Sequence, residues 1–533
     1  MELLAAFLAG FAVLVVEILG VHLLAPWFGT SSLVWSQQIG LVLAAIALGG
    51  WIGGRLARAG DPLRRAARAL VLGGLWIGAA GLLLGPFAAR LLPSGLTLDD
   101  AAPAFLSGSF TAALVFFAPP VLLLSLLHPL LVQARAPRRG GAGPAAGEVA
   151  AAGTAGSLLG VVAATFLAVP LVGVRESLLG VAAVLLLAGG LLLSRAAAAR
   201  SAVAACALLL AMLVPDPARR ANLPPGAEVL AVRDSPYQHL RVIEFPLTGE
   251  RWLQMNEGLD SFQSWWHPEA TFGGLYYDLF ALAPVYARAD RPTDAPGGGV
   301  AALTRRERFW VLGFGAGSAL GPIRAGLAGR PAAGVGVELD PAVLELGSEW
   351  LPLAEELRGA VRVVGGQDAR AALRAAPDDL DFVVLDAYTR QFELPLHLAT
   401  REFFAEIASH LRPGGVLAIN VGTQAAPNDP GGLLARLGAS VAPSFAALRL
   451  HRVPRSRNWV LFARKAAPLP SLERLAELLP PGLPLEVGAA VLPGQTVAGE
   501  ALPPARPFTD DRNPVTLLQA REWWAAARAD AVP

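Results

Sequence analysis

The C-terminal half of the sequence carries glycines and acidic residues at spacings that suit an adenine nucleoside. They are the turn glycines Gly313, Gly315 and Gly317 and the carboxylates Glu338, Asp368 and Asp386. Glycine lets a ligand approach the backbone closely, and a carboxylate that ends the next strand can accept hydrogen bonds from both ribose hydroxyls. Asp368 could accept a hydrogen bond from an adenine amino group. We therefore predict a nucleoside pocket. Asp386 ends the fourth predicted strand, near the centre of the sheet, and capping of that strand is its alternative role.

The glycine turn does not match a dinucleotide-binding loop well. Ala316, Ser318 and Ala319 follow its glycines and lead into an apolar stretch without a long phosphate cradle. The pattern suits a sulfonium nucleoside better than NAD. Helix capping is the alternative role for Glu338, and it is the role that we expect of Asp340.

Short apolar runs alternate with helical stretches around these residues. The runs predict strands at 309–313, 334–338, 361–364, 381–386 and 416–420, and helices are predicted at 318–328, 341–350 and 400–411. This alternation is typical of a parallel, doubly wound α/β sheet of the Rossmann-like (methyltransferase) type. Ligands of such sheets bind outside the carboxyl ends of the strands, where the predicted pocket residues lie.

Composition divides the chain in two at about residue 215, and the pattern of strands divides the second part again, which gives three predicted domains. They are a multi-pass transmembrane helical domain over residues 1–215, a small β-rich module over 216–300, and the Rossmann-like nucleoside-binding domain over 301–533. Within the last, the proline-rich stretch Pro468–Pro507 is expected to be a surface excursion that adds nothing to the core.

The first domain has the composition of a membrane protein. Hydrophobic residues make up 54% of the whole chain and charged residues 16%, against about 25% charged residues in ordinary soluble chains. A helix needs about 20 apolar residues to cross a bilayer. Seven stretches approach that length, namely Leu3–Leu24, Leu33–Gly54, Leu70–Leu92, Phe105–Val132, Val149–Val172, Leu178–Leu193 and Ala202–Val214.

Arginines set the expected orientation of these spans. The loops after the second, fourth and sixth spans are rich in arginine, which places them and the N-terminus in the cytoplasm. A seventh crossing would put the C-terminal half outside. The seventh stretch is short, however, and Arg219 and Arg220 follow it, so it lies in the interface or another span is miscounted. We expect a multi-pass cell-membrane protein whose C-terminal half is cytoplasmic.

Two roles are open for some of the residues within the predicted spans. Gly49, Gly50, Gly53 and Gly54 either allow close helix packing or reflect composition alone. Glu17 and His22, in or near the first span, are candidates for a membrane function, although packing inside the helix bundle is the role we favour. Neither reading is decided by spacing.

Several classes of protein and site are disfavoured by composition. The single cysteine, Cys206, excludes an internal disulfide framework and a cysteine-rich metal centre. The seven histidines are scattered without paired spacing, so no metal site is expected. A net charge of +1 gives no reason to expect a nucleic-acid partner.

The stretch from Asp234 to Gly422 resembles the spermidine synthases (polyamine aminopropyltransferases), and above all their bacterial forms with an N-terminal multi-span domain. The likeness rests on Ser235-Pro-Tyr-Gln238, Asn256-Glu-Gly258, Tyr276-Tyr277-Asp278, Gly313–Gly317, Val337-Glu-Leu-Asp340, Asp368-Ala369, Asp386, His397–Phe403 and Thr509–Pro514. The first two spans also look like that membrane domain, with Val15-Val16-Glu17 and Pro26-Trp-Phe-Gly29.

This resemblance implies transfer of an aminopropyl group from decarboxylated S-adenosylmethionine to a diamine such as putrescine, with release of methylthioadenosine. It implies no other cofactor. Partners would be these small molecules and the lipid bilayer, with a homo-oligomer left open. The donor nucleoside is made in the cytosol, which supports a cytoplasmic catalytic domain. Roles carried over from the family are nucleoside binding for Gln238, Gly313, Gly315, Gly317, Glu338, Asp368 and Ala369, catalysis for Asp386, and substrate binding for Tyr277, Asp278 and Thr389.

Three positions depart from the family pattern. Ala316 replaces an aspartate of the glycine loop, Thr389 replaces the second aspartate of D-x-x-D, and Tyr277 replaces the histidine of Y-H-E. The residues that the resemblance assigns to nucleoside binding are kept, whereas some of those assigned to amine binding are replaced. The candidates to compensate for the missing acidic groups are Glu257, Asp260, Asp278 and Glu393. Two alternatives therefore stay open, a nucleoside- or polyamine-sensing domain of a membrane transporter and an S-adenosylmethionine-dependent methyltransferase.

Overall fold

The computed structural model divides the chain into two compact units. It describes residues 1–58, 60–92, 98–216, 222–256, 263–289, 305–353, 359–389 and 393–530. The first unit comprises Met1–Pro224 with Val232–Arg241 and Met255–Asp260, and the second unit comprises the rest of the chain. Glu257, Gly258, Asp260, Arg219 and Arg220, which the sequence analysis named, lie outside the described residues.

The described residues of the first unit up to 216 are mainly helical. Its helices are α1 (Glu2–Phe28), α2 (Ser32–Leu56), α3 (Pro62–Leu91), α4 (Leu98–Phe116), α5 (Ala118–Ser125), α6 (Leu127–Arg135), α7 (Ala142–Ala163), α8 (Val174–Leu193) and α9 (Arg195–Ala211), with a π-helical stretch at Ala164–Val172. Among the described residues, six helical segments are long and apolar enough to cross a membrane, and each overlaps one of the first six predicted spans. The seventh candidate falls mostly in α9, which has 17 residues and is not among the six.

Glycines bring helices of this unit into backbone contact. A Cβ built at Gly156 would lie 2.0 Å from the carbonyl oxygen of Phe7, so α1 and α7 approach closely only because that side chain is absent. Gly49 likewise faces Leu122, whereas Gly50 has open space around it. Only part of the glycine pattern in α2 therefore serves packing. His22 is buried, with Nδ1 3.1 Å from the carbonyl oxygen of Ile18.

Within the described residues, twelve strands form two sheets. Strands β1 (Glu228–Asp234), β2 (His239–Phe245), β3 (Glu250–Met255) and β4 (Ser264–Trp266) lie side by side in chain order. The larger sheet has eight strands in the order β12-β10-β11-β9-β8-β5-β6-β7. Its strands are β5 (Glu307–Leu312), β6 (Ala332–Glu338), β7 (Val361–Gly365), β8 (Leu380–Leu385), β9 (Leu411–Gly422), β10 (Ala447–Arg452), β11 (Asn458–Arg464) and β12 (Thr496–Ala498).

The larger sheet has a parallel core with an antiparallel flank. Strands β5 to β9 pair in parallel and include all five predicted strands, while β10, β11 and β12 add antiparallel partners that the sequence analysis missed. The predicted α/β fold is confirmed, but the sheet is mixed. Helices of the second unit are α10 (Leu282–Arg288), α11 (Leu320–Leu327), α12 (Pro341–Trp350), and those at Ala369–Leu373, Arg401–His410, Leu433–Val441, Leu472–Glu477, Leu485–Ala490 and Val515–Asp530.

Burial on both faces explains the apolar runs of the central strands. In β8, Phe382 and Val384 join one hydrophobic core while Val383 and Leu385 join the other. A strand covered on both sides shows no alternation of polar and apolar residues. The sequence of β8 is therefore nearly continuous in hydrophobic residues, and it ends where Asp386 begins the following turn.

The expectation for the proline-rich stretch was wrong. Its strand β12 pairs with β10 at the edge of the large sheet. Leu475 and Val487 from its two short helices are fully buried in a hydrophobic core. The prolines lie between these elements, where they interrupt no hydrogen bond between strands. A high proline content is therefore compatible with packing of this stretch in the core.

Candidate functional site

The glycine turn follows β5 and adopts backbone angles that favour glycine. Gly313, Gly315 and Gly317 have φ values of +84°, +57° and +92°, in the region that other residues rarely enter. The backbone N–H groups of Gly313 and Phe314 both donate to the carbonyl oxygen of Val337, at 3.0 and 2.9 Å. The turn is thereby fixed to the end of β6.

The carboxylate of Glu338 fixes this turn by a hydrogen bond to its backbone. One of its carboxylate oxygens accepts a hydrogen bond from the backbone N–H of Gly315 at 2.9 Å, and the other accepts from the N–H of Asp340 at 3.0 Å. The side chain is buried, and burial raises the pKa of Glu338 above its usual range although these donors lower it. Asp340 caps α12 as predicted, since its carboxylate accepts from the N–H of Ala342.

Strand β4 contacts the other side of the turn. The hydroxyl of Ser264 accepts a hydrogen bond from the N–H of Ala316 at 2.8 Å. The hydroxyl of Ser318 accepts from the N–H of Trp265 and donates to its carbonyl oxygen, both at 2.9 Å. The sequence did not predict that β4 contacts the glycine turn, because Ser264 and Ser318 are far apart along the chain and form no recognisable motif.

Asp386 lies at the carboxyl end of β8, next to the glycine turn. Its backbone N–H donates to the carbonyl oxygen of Leu312 at 2.8 Å. Its half-buried carboxylate accepts hydrogen bonds from two neutral side chains, the Tyr276 hydroxyl at 3.2 Å and the Asn420 amide at 3.0 Å. Asn420 is fixed in turn by the amide of Asn458, whose nitrogen lies 2.8 Å from the Asn420 oxygen.

This environment changes the acidity of Asp386. Burial raises the pKa of the carboxyl from 3.8 to about 8, and the negative charge of Glu338 adds to the rise. The hydrogen bonds from Asn420 and Tyr276 act in the opposite direction, because they stabilise the carboxylate. A carboxyl group with a pKa near neutrality can act as a proton acceptor under ordinary conditions.

Tyrosine side chains surround Asp386. The rings of Tyr276 and Tyr277 lie 4.1 Å apart between centroids, and the Tyr277 hydroxyl donates to the carbonyl oxygen of Gln263 at 2.7 Å. The Tyr388 hydroxyl donates to the carbonyl oxygen of Asn420 at 2.8 Å. The sequence analysis singled out Tyr277, whereas the hydroxyl that reaches Asp386 belongs to Tyr276, the preceding residue of the same motif.

Two residues predicted to contact an amine are engaged with the backbone. Asp278 is buried, and its carboxylate accepts from the N–H groups of Gly274 at 2.8 Å and Gly273 at 3.4 Å. Burial raises the pKa of Asp278 to about 6, although these donors lower it. The Thr389 hydroxyl donates to the carbonyl oxygen of Glu393 at 3.0 Å.

The remaining predicted nucleoside-binding residues make contacts elsewhere. Asp368 caps the helix that begins at Ala369, accepting from the N–H groups of Arg370 and Ala371 at 3.0 Å each, and its other oxygen lies 2.7 Å from Nε2 of His397. Gln238 belongs to the first unit, where its backbone N–H donates to the Ser235 hydroxyl at 3.0 Å. The contacts therefore join the glycine turn, Glu338 and Asp386 into one cluster.

Within the part of the chain that the structure describes, no three or more histidine, cysteine, aspartate or glutamate side chains are arranged to hold a metal ion.

Comparison with known proteins finds two related sequences. The chain is 28% identical over 195 residues to a probable polyamine aminopropyl transferase of Bifidobacterium longum. The aligned region covers 36% of this chain and 38% of that protein. The chain is also 27% identical over 230 residues to a polyamine aminopropyltransferase of Nitrosomonas europaea. That alignment covers 42% of this chain and 60% of the relative. The chain thus spans less than two thirds of either relative, and no protein-family model matches it.

The crystal structure of a probable spermidine synthase from Corynebacterium glutamicum aligns with 51% of this chain and 96% of its own, at 19% identity and a TM-score of 0.37. The two related sequences confirm the resemblance predicted above, since over the matched residues the chain is similar to polyamine aminopropyltransferases.

Proposed function

We propose that this protein is a membrane-anchored polyamine aminopropyltransferase. The observation that carries the proposal is the half-buried carboxylate of Asp386, held by Tyr276 and Asn420 directly beside a glycine turn that Glu338 supports. Similarity to two polyamine aminopropyltransferases supports the same activity.

The donor in this proposal is decarboxylated S-adenosylmethionine, which acts as a co-substrate, and no separate cofactor is invoked. Its adenosine would lie over Gly313, Gly315 and Gly317. Glu338 would accept hydrogen bonds from the ribose hydroxyls, using the lone pairs that the N–H groups of Gly315 and Asp340 leave free. Asp368 and Ala369 would contact the adenine.

The proposed reaction is a direct displacement at carbon. The lone pair of an acceptor amine forms a bond to the propyl carbon next to the sulfonium, and the carbon–sulfur bond breaks with its electron pair moving to sulfur. Methylthioadenosine leaves as a neutral thioether, so the leaving group needs no proton. Alignment of nitrogen, carbon and sulfur is expected to supply much of the acceleration.

Asp386 is the proposed base. An ammonium group has no lone pair, so the acceptor must lose a proton before or during the displacement. A carboxylate with a pKa near 8 accepts that proton less unfavourably than one with a pKa of 3.8, because its basicity is closer to that of an amine. Such base assistance typically contributes about 10²–10⁴-fold.

The activity is tested with the purified full chain in detergent. The protein is incubated with either decarboxylated S-adenosylmethionine or S-adenosylmethionine, each with a mixture of putrescine and a primary monoamine. Release of methylthioadenosine from the decarboxylated donor supports the proposal. Transfer of a methyl group from S-adenosylmethionine favours the methyltransferase alternative, and nucleoside binding without any product favours the sensing alternative.

The six apolar helical segments support anchoring in a lipid bilayer. We propose that the second unit is cytoplasmic, because six crossings return the chain to the side of its N-terminus and arginine-rich loops place that side in the cytoplasm. The proposed partners are the bilayer and the small-molecule substrates. Nucleic acid is not among them, and a homo-oligomer is compatible with the proposal.

A further inference from the structure

The loop between α2 and α3, together with the helix turns on either side of it, carries a dense group of arginines. Five arginines occur between residues 55 and 68, with one acidic residue, Asp61. The carboxylate of Asp61 accepts hydrogen bonds from the N–H groups of Leu63 at 3.0 Å and Arg64 at 3.2 Å, and it thereby caps α3. The stretch therefore has an excess of positive charge.

Most of this charge is on the surface of the first unit. Four of the arginines are exposed, namely Arg55, Arg58, Arg64 and Arg68. The fifth, Arg65, is partly buried and donates to the carbonyl oxygen of Leu56. Arg64 and Arg68 are four residues apart on α3, so their side chains are neighbours on one face of the helix, where like charges repel each other. An anion bound between them would remove that repulsion.

The guanidinium group of Arg55 stacks on an exposed indole ring. Its Cζ lies 3.4 Å from the ring centroid of Trp51, one helical turn earlier in α2. A guanidinium group that stacks through its flat face keeps the N–H groups at its edge directed outward, where they can donate two parallel hydrogen bonds to a phosphate. Tryptophan is itself typical of the membrane–water interface, where its ring lies at the level of the headgroups.

Exposed apolar side chains continue the arginine row of α3. Leu72 follows Arg68 by four residues and lies on the same face of the helix. Leu75 and Trp76 lie one turn further along, and all three apolar side chains are exposed. One face of α3 thus changes from charged to apolar within about two turns. This order matches a phospholipid, whose phosphate lies at the membrane surface and whose acyl chains lie in the hydrocarbon core, and a free phosphate would make no use of the apolar part.

A second group of arginines, between α6 and α7, differs in its charge balance. Glu2 accepts from Arg135 at 3.1 Å and also from Arg138. Glu148 accepts from Arg139 at 3.0 Å and also from Arg135. Each of these arginines is therefore paired with a carboxylate of the same unit, whereas the α2–α3 loop presents its charge to the surroundings.

We propose that the α2–α3 loop binds the headgroup of an anionic phospholipid, with the acyl chains of that lipid lying against the exposed apolar face of α3. The inference goes beyond the proposed transferase activity and rests on the proposed anchoring of the first unit in a bilayer. Clusters of four or more arginines beside a membrane span attract anionic lipids, and arginine suits phosphate oxygens because its N–H donors match their spacing.

The test measures which lipid stays bound to the full chain in detergent. The protein is mixed with equal amounts of phosphatidylglycerol and phosphatidylcholine that have identical acyl chains, and the retained lipids are counted by native mass spectrometry. Both lipids contain a phosphate, but the choline of the second repels arginine. We expect a preference of about tenfold or more for phosphatidylglycerol, because each arginine near an anionic lipid contributes about fivefold.

Removal of the exposed charges should abolish this preference. The variant Arg58→Gln/Arg64→Gln/Arg68→Gln is expected to retain the two lipids about equally. Its melting temperature without added lipid is compared with that of the unaltered chain, which shows whether it folds. If it does not fold, Arg68→Gln alone is used, with an expected loss of about fivefold in the preference.

A control variant removes the same amount of charge elsewhere in the first unit. Arg90, Arg195 and Arg200 are exposed and lie outside the α2–α3 loop. The variant Arg90→Gln/Arg195→Gln/Arg200→Gln should keep the preference for phosphatidylglycerol. An equal loss in both variants would assign the effect to net charge and overturn the proposed site.

Three further outcomes would also overturn it. The first is equal retention of both lipids by the unaltered chain. The second is displacement of phosphatidylglycerol by millimolar glycerol 1-phosphate, which would indicate a site for a free phosphate. The third is a chain that is soluble without detergent, since the proposed anchoring would then fail and the lipid site with it. None of these measurements depends on methylthioadenosine release, so the proposed transferase activity is tested separately.

Discussion

Gly313 and Asp386 are in direct backbone contact. A Cβ built at Gly313 would lie 2.5 Å from the carbonyl oxygen of Asp386 and 2.6 Å from the Cα of Ala387. Gly313, the first glycine of the turn, thus sets how closely the backbone of the glycine turn approaches the end of β8, which carries Asp386. Two motifs that are 73 positions apart in the sequence meet at this point.

Replacement of Gly313 tests this contact. Gly313→Ala adds a methyl group where backbone atoms already lie, at a φ of +84° that alanine rarely adopts. We expect a loss of about 1–3 kcal/mol in stability and a loss of donor binding measured by calorimetry. Gly488→Ala is the matched control, because a Cβ there meets nothing within 4 Å, and it should retain both properties. Unchanged donor binding in Gly313→Ala would contradict the importance of this contact.

Asp386→Asn separates binding from turnover. The amide keeps the size of the side chain but cannot accept a proton from the amine, so methylthioadenosine release should fall by about 10²–10⁴-fold. Calorimetry should show donor affinity close to that of the unaltered protein. Asp378→Asn, at the amino end of the same strand and 84% exposed, should leave both measurements unchanged. Full turnover in Asp386→Asn would remove this residue from the mechanism.

The pH dependence of the reaction should report the same carboxyl group. Only the ionised form of Asp386 accepts a proton, so kcat/KM for the donor should fall below a pH of about 8, the pKa that burial gives this group. Tyr276→Phe removes a donor that stabilises the carboxylate. The acid limb of the profile should therefore move to higher pH in this variant.

The control for this shift is another buried tyrosine. Tyr286→Phe also removes a hydroxyl, but that hydroxyl contacts Nε2 of His451 at 2.7 Å. Its pH profile should keep the limb near pH 8 even if its thermal stability falls. A limb in Tyr276→Phe that stays in place or moves to lower pH would show that Tyr276 does not tune Asp386.

Strand ends and turns were predictable from the sequence, but the choice of hydrogen-bond partners was not. The apolar run of β8 predicted a strand buried on both faces, and Asp386 directly follows that run in the sequence. Which of Tyr276 and Tyr277 would reach Asp386 depends on the rotation of a short helical turn, which residue types do not encode. Asn420 ends a predicted strand, yet an asparagine there gives no signal until the neighbouring strand is known.

Ala316 illustrates a different limit. The comparison of motifs treats it as a lost aspartate, but it could not tell where the side chain points. The structure directs it at Gly347 of α12. Restoring the aspartate is thus expected to act on packing before it acts on catalysis.

Ala316→Asp should destabilise the protein instead of improving it. The added carboxylate would lie in a buried position against α12, and a buried charge without a partner is costly. We expect a lower melting temperature and weaker donor binding, measured by thermal unfolding and calorimetry. Ala316→Ser, which adds one small polar atom, should cost less. A gain in putrescine turnover with unchanged stability would show that the side chain points toward the substrate instead.

Reporter fusions test the proposed topology of the membrane unit. If α9 does not cross the bilayer, a reporter placed at Ser194, before α9, and a reporter fused after residue 533 must lie on the same side. With six crossings and cytoplasmic arginine-rich loops, both fusions to green fluorescent protein should fluoresce, and both fusions to alkaline phosphatase should be inactive. A fusion after Pro93, which follows α3, should give the reverse result and serves as the control. Opposite signals at Ser194 and the C-terminus would mean that α9 crosses, and the nucleoside site would then face away from the cytosolic donor.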